Sequence, residues 1–405
     1  MRFLFLTTIY PAPGDSYMTG ELAHELRSRG HHVDVLHIAW RGTQGAATVE
    51  REDFGVDVVD VAPRAVRGLG TLVQRASKFV LTSRHAAQEL QRRFDLAQYD
   101  AAVAWTPALT VAGPLRKALA AGIGARILFV FDFFPIHHRE IGMVPPGPVY
   151  AVAKWLEERL MRRFTTIVCN LPGNVDYLRR NYRLRRGQDV VSTPLWSQTT
   201  PPELEARTAV RDRLGLPQER PLALFGGQIV EGRGIEQILD AAAEAEKAGS
   251  PLGFLFIGNG RMAQMVEAEA ARRGNVFYRP GVPRDAYLST VGACDVGLVA
   301  TVPGVTSFSF PTKTIDYLRA GLPVVAAVEP GSDYLDILRD YEVGEGVAFG
   351  DAPGFFGAVE RQAAGRDAGL AERARRCLDE VFHVRHTADV VMAAVERAAT
   401  RRGMA

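Results

Sequence analysis

Apolar residues along this chain follow two alternating rhythms. Short runs such as RFLFLTTIY (residues 2–10), YDAAVAW (99–105) and ARILFVFDFFP (125–135) read as buried strands of a parallel sheet. Between strands lie stretches with helical spacing, such as ELAHELRSRG, where Leu22 and Leu26 share a face and Gly30 stops the helix before the strand HHVDVLHI. The alternation begins afresh at RPLALFGGQIV and continues through GFLFIGNG, NVFYRPGVP, ACDVGLVA and LPVVAAV. Two such series predict an α/β protein with two Rossmann-like, doubly wound parallel sheets. The expected division is a first domain over 1–196, a hinge over 197–209 (SQTTPPELEARTA) and a second domain over 210–380. A C-terminal segment, 381–405, contains a helix around Ala388 to Arg401 that is expected to cross back to the first domain.

Composition narrows this picture. A length of 405 residues suits about two domains, each able to bury its own core. Cys169, Cys294 and Cys377 lie far apart, so neither a zinc site nor a disulfide framework is expected and a reducing cytoplasm is the expected location. MRFLFLTTIY is too short an apolar stretch for a signal peptide, and no run approaches the roughly 20 residues that span a bilayer. The formal net charge of +2 hides an asymmetry. Residues 1–196 carry 25 Lys and Arg against 18 Asp and Glu, and residues 197–405 carry 23 against 28. The basic first half predicts an acidic partner such as a lipid diphosphate or an anionic membrane surface.

The most informative segment is FPTKTIDYLRAGLPVVAA, residues 310–327. Pro311 and Thr312 suit the first turn of a helix, whose N–H groups and positive dipole end attract an anion. Asp316 follows one turn later, placed to accept hydrogen bonds from ribose hydroxyls. The segment resembles the C-terminal motif of family 4 retaining glycosyltransferases, an acidic residue five positions before a glycine followed by x-Pro-Val-Val. Here these are Asp316, Gly321, Pro323, Val324 and Val325. The family usually has Glu at the place of Asp316, and a second Glu where this chain has Phe308.

The resemblance extends along nearly the whole chain and implies the GT-B fold, with two sheets facing a central cleft. It places the loop Tyr17, Met18, Thr19, Gly20 at that cleft, where Gly20 would let backbone approach donor and acceptor. In the family, Gly-Arg and then Lys-Gly hold the donor diphosphate. This chain has Gly227 and Gln228, then Arg233 and Gly234, so Arg233 should carry most of the bonding to phosphate, with Lys313 as a replacement cation. Gly258 and Gly260 form the family's Gly-x-Gly turn. Pro280, Gly281 and Val282 are expected beside the base, Thr306, Ser307 and Phe308 beside the donor sugar, and Thr312 at the phosphate. Polar residues at the end of the third quoted strand, Asp132 with His137 and His138, are expected on the acceptor side. The helix Tyr150 to Phe164 mixes an apolar face with Lys154, Arg159, Arg162 and Arg163, which suits docking on an anionic membrane.

The expected activity is retaining transfer of a sugar from a nucleoside diphosphate, a UDP-sugar, to a lipid-linked or polysaccharide acceptor. No D-x-D pair occurs, so no metal or other cofactor is expected, and no nucleic-acid partner. Two alternatives stay open at this point: a GT-B epimerase or hydrolase acting on the sugar nucleotide, and a non-catalytic partner subunit with a degenerate donor site.

Overall fold

A computed structural model describes residues 1–12, 15–40, 42–66, 71–307, 310–365 and 368–403, without the side chains of 71–73, 75–76, 284–285 and 402–403. The chain divides into two compact units, Met1–Pro194 with Val384–Ala405, and Leu195–His383.

The first unit is built on eight strands: β1 (Arg2–Thr7), β2 (His32–Ile38), β3 (Val49–Asp53), β4 (Val56–Val61), β5 (Ala101–Trp105), β6 (Ala125–Val130), β7 (Thr166–Cys169) and β8 (Asp189–Ser192). Their order is β3-β4-β2-β1-β5-β6-β7-β8. Phe5 of β1 lies between Val35 and Val103, so the chain winds outward in both directions from β1. Leu4, Leu6, Leu36, Leu128 and Ile167 join one buried cluster beneath flanking helices. The sheet departs from the all-parallel expectation at one edge. β3 runs antiparallel to β4 through a two-residue turn in which Phe54 and Gly55 both have positive φ, 49° and 79°. The charged run VERED lacks the apolar signature of the inner strands, which is why it does not read as a strand. The terminal helix Val384–Gly403 belongs to this unit. Asp389 meets Arg29 at 2.5 Å, Thr387 meets Thr193 at 3.3 Å, and Arg401 meets Asp189 at 2.8 Å.

The second unit carries β9 (Leu222–Gly226), β10 (Gly253–Ile257), β11 (Val276–Arg279), β12 (Val296–Ala300), β13 (Val324–Ala327) and β14 (Gly344–Val347). All described pairings are parallel, in the order β11-β10-β9-β12-β13-β14. The winding direction reverses between β9 and β12, the place where open sheets of this kind take ligands. The helix Arg207–Arg213 begins inside the stretch expected as a hinge. Its Arg211 is fully buried, gives hydrogen bonds to four carbonyls (Ala293, Pro217, Gln218 and Arg220), and meets Asp295 at 3.1 Å. Asp295 also pairs with Arg207 and accepts from the Leu222 N–H, tying this helix to the start of β9 and β12.

Candidate active site

β9 and β12 pair through only two registers, Ala223 with Val296 and Leu224 with Gly297, and then separate. The gap is filled by Tyr317, a buried residue of the helix Lys313–Arg319. Its hydroxyl accepts from the Gly226 N–H at 3.1 Å and reaches the carbonyls of Leu224 (3.1 Å) and Leu298 (3.2 Å). A side chain thus satisfies backbone groups that the separating strands leave unpaired. Gly226 is hemmed in from another side as well, since a Cβ there would fall 2.1 Å from the Tyr287 hydroxyl.

One turn before Tyr317, Lys313 folds its ammonium over the ring of Phe225, 3.4 Å from the centroid. Burial, with Arg233 adding like-charge repulsion, holds this ammonium well below the usual lysine range. The two cations expected to serve a diphosphate therefore gather at the point where the sheet reverses. Arg233 is exposed, in a loop whose path is set by Gly234. That residue has φ +61°, and its Cβ would lie 2.6 Å from the Thr301 carbonyl. The preceding Gly227 and Gln228 are exposed.

Gly258 and Gly260 have a packing reason of their own. A Cβ on Gly258 would come within 1.7 Å of the Gly227 carbonyl, and one on Gly260 within 2.0 Å of the Ile229 carbonyl. The loops after β9 and β10 are laced together by Gly227 N–H to Ile257 (2.9 Å) and Ile229 N–H to Asn259 (3.0 Å). Beyond β11, Pro280 and Gly281 are exposed, Val282 is half-buried, and the Gly281 N–H donates to the Asn259 side chain at 3.3 Å. Thr306 is exposed and Ser307 is buried, while Phe308 lies outside the described residues. The helix starts at Lys313, two residues later than the expected start at Pro311, and Thr312 precedes it without a side-chain cap bond. Asp316 is half-buried, 3.9 Å from Arg319, which donates in turn to the Thr200 carbonyl.

In the first unit, Gly20 is not in a loop. The helix Met18–Ser28 has already begun, and a Cβ on Gly20 would meet the Pro11 ring at 2.7 Å, so the glycine serves close packing. Asp132 follows β6, with its backbone N–H and carbonyl both held by the Thr106 hydroxyl. Burial raises its pKa against the opposing pull of His138 and His137. Both histidines lie on the short helix Ile136–Glu140, with ring centroids 6.2 Å apart. Sequence reading missed a further acid, Glu157 of the helix Pro148–Met161. It is fully buried and accepts from the N–H groups of Ala108 (2.6 Å) and Leu109 (3.0 Å). Burial pushes its pKa up to about 7, those two bonds oppose the rise, and Asp132 adds to it. Nothing in E-E-R at 157–159 distinguishes the fully buried acid from its neighbour.

Among the described residues, one group has metal-ligand proximity: His32, Asp34 and Asp57. It lies where β2 and β4 begin, and Asp34 is already engaged by the Tyr99 hydroxyl at 2.5 Å and Arg2 at 3.3 Å.

Comparison with known proteins places this architecture. The chain of the sucrose-phosphate synthase from Thermosynechococcus elongatus superposes with a TM-score of 0.70 at 16% identity, covering 99% of this chain and 100% of that one. WaaG, a glycosyltransferase involved in lipopolysaccharide biosynthesis, superposes with a TM-score of 0.63 at 16% identity, covering 96% and 99%. Two doubly wound units of this form are the GT-B fold. Residues 14–193 match the model for Glycosyltransferase Family 4, and residues 206–362 match that for Glycosyl transferases group 1. The chain belongs to the family 4 glycosyltransferases, as the motif at 310–327 suggests. WcaI of Escherichia coli K12, named as a colanic acid biosynthesis glycosyl transferase, is 26% identical over 339 residues, 77% of this chain and 79% of that protein.

Proposed function

We propose that this glycosyltransferase moves a sugar from a UDP-sugar, with retention and without a metal ion, to a lipid-linked or polysaccharide intermediate. The observation that carries the reading is the gathering of Arg233 and Lys313 where β9 and β12 separate. Breaking the bond between the sugar's anomeric carbon and the diphosphate builds negative charge on the departing oxygens, and preorganised cations stabilise that charge most strongly as it develops. The acceptor hydroxyl bonds to the same face of the anomeric carbon, and its proton passes to the departing phosphate oxygen. Asp316 holds the ribose hydroxyls, and Asp132 with His137 and His138 orients the acceptor. WcaI and WaaG, named for colanic acid and lipopolysaccharide biosynthesis, support an acceptor in surface-polysaccharide assembly. An acceptor of that kind, carried on a lipid diphosphate, would bring the enzyme to the inner face of the plasma membrane.

The test is a thermal-shift titration with UDP, GDP, ADP and dTDP, since a ligand that binds only the native state raises its melting point. A shift selective for UDP and lost in Arg233→Ala supports the reading. Selectivity for another nucleotide would replace the donor, and no shift with any would favour a degenerate donor site. Release of free or isomerised sugar without an acceptor would favour the hydrolase or epimerase.

A further inference from the structure

Large apolar side chains are exposed at scattered places on the surface, but four of them fall within thirteen residues: Met143 (58%), Val149 (69%), Val152 (56%) and Trp155 (54%). The last three are spaced by three along the helix Pro148–Met161 and form one outward stripe over its first two turns. The stripe continues into Arg159, whose guanidinium lies 5.5 Å from the centre of the Trp155 ring. Arg162 and Arg163 are exposed at the helix end, and Arg162 donates to the carbonyl of Arg183, another exposed basic residue. The acidic residues between 141 and 163 are Glu157 and Glu158, and both are buried. The helix therefore turns its carboxylates inward and presents apolar groups followed by arginines.

We propose that the surface formed by Met143, Val149, Val152 and Trp155, flanked by Arg159, Arg162 and Arg163, docks on an anionic lipid bilayer. A tryptophan with an aliphatic stripe suits the boundary between headgroups and acyl chains, and arginines beside it suit anionic headgroups. The excess of positive charge over residues 1–196 favours the same partner at longer range. Three side chains on two helical turns, with Met143 in the segment before them, form a small patch beside a standard protein interface of roughly 800 Å² per partner. Insertion into lipid does not need that area. The proposal concerns where the enzyme sits and does not depend on which sugar or nucleotide it uses.

Tryptophan fluorescence of the full-length protein tests it. Trp155 is exposed, Trp40 is half-buried, and Trp105 and Trp196 are buried, so Trp155 is the main reporter of a new environment. Vesicles of phosphatidylglycerol and phosphatidylcholine should shift the emission to the blue and carry the protein down on sedimentation, whereas vesicles of phosphatidylcholine alone should do so at least about tenfold less. Trp155→Ser and the double change Arg159→Glu, Arg163→Glu should each lower partitioning by about tenfold or more while the melting point stays that of the wild type. Equal binding to neutral and anionic vesicles, no binding to either, or undiminished binding of both variants would overturn the proposal. So would self-association of the wild type that Trp155→Ser abolishes, which would assign the face to a second copy of the chain.

Discussion

Lys313 and Phe225 lie 88 positions apart in the chain, yet the ammonium of the first rests 3.4 Å from the ring centroid of the second. The aromatic face offsets part of the lost hydration of the charge, but burial and Arg233 still weaken the hold of this amine on its proton. An anion placed here would strengthen that hold. Binding of a nucleoside diphosphate should therefore take up a proton, seen as a dependence of calorimetric binding heat on the buffer's ionisation heat. Lys313→Met should remove that dependence and weaken binding by about 10- to 100-fold, the worth of one charge-assisted hydrogen bond. Buffer-independent heats between about pH 6 and 9 would count against it. The sign for the unliganded protein is the reverse of a salt-bridged lysine. The unfolded chain holds this proton more tightly, so stability should rise with pH up to the ordinary lysine range, and Lys313→Met should flatten that rise.

Tyr317→Phe removes the hydroxyl that closes the gap between β9 and β12. It leaves the Gly226 N–H without this acceptor and the carbonyls of Leu224 and Leu298 without this donor. The expected loss is about 1–3 kcal/mol, read from the urea midpoint at an unchanged slope. An unshifted midpoint would mean that water replaces the hydroxyl at no cost.

Asp295→Ala should be more severe. The side chain of Arg211 is fully buried and Asp295 is its carboxylate partner, so the change strands a positive charge in the interior. A loss of about 3–5 kcal/mol is expected. Replacing the pair together, Arg211→Met with Asp295→Leu, should recover part of it. A single change costing less than about 1 kcal/mol would show that the four carbonyls suffice for Arg211.

Glu157 makes a pH prediction. Its pKa in the folded protein is about 7, above its ordinary value of 4.5, so the native state binds the extra proton between those limits. Stability should accordingly fall as pH rises from about 4.5 to about 7 and level off above, with a total of roughly 3 kcal/mol. Asp132, also raised by burial, acts in the same direction. Glu157→Gln should remove most of this slope, because the amide stays neutral and its oxygen can still accept from Ala108 or Leu109. Chemical denaturation across pH 4 to 8 measures it, and an unchanged slope in the variant would reassign the titration.

Local sequence was enough to show the strands with apolar runs, the doubly wound character of both sheets, the family motif around Asp316 and Gly321, and the glycine-flanked loop of Arg233. These rest on burial rhythm and backbone freedom, which leave a mark over a few neighbouring residues. The β3–β4 hairpin carried no such mark, because its edge strand reads VERED and its turn uses Phe54 at positive φ. Gly20 and the Gly258/Gly260 pair looked like ligand-facing turns. Their neighbours in space, Pro11, Gly227 and Ile229, show that each also makes room for a packed chain. Tyr317 as the filler between separating strands, Phe225 as the shelf for Lys313, and Glu157 rather than Glu158 as the fully buried acid all depend on strand order and on which helix lies over which edge. Those contacts join residues tens of positions apart, and the free energy that selects them comes from packing and desolvation in the assembled fold, which local sequence pattern does not record.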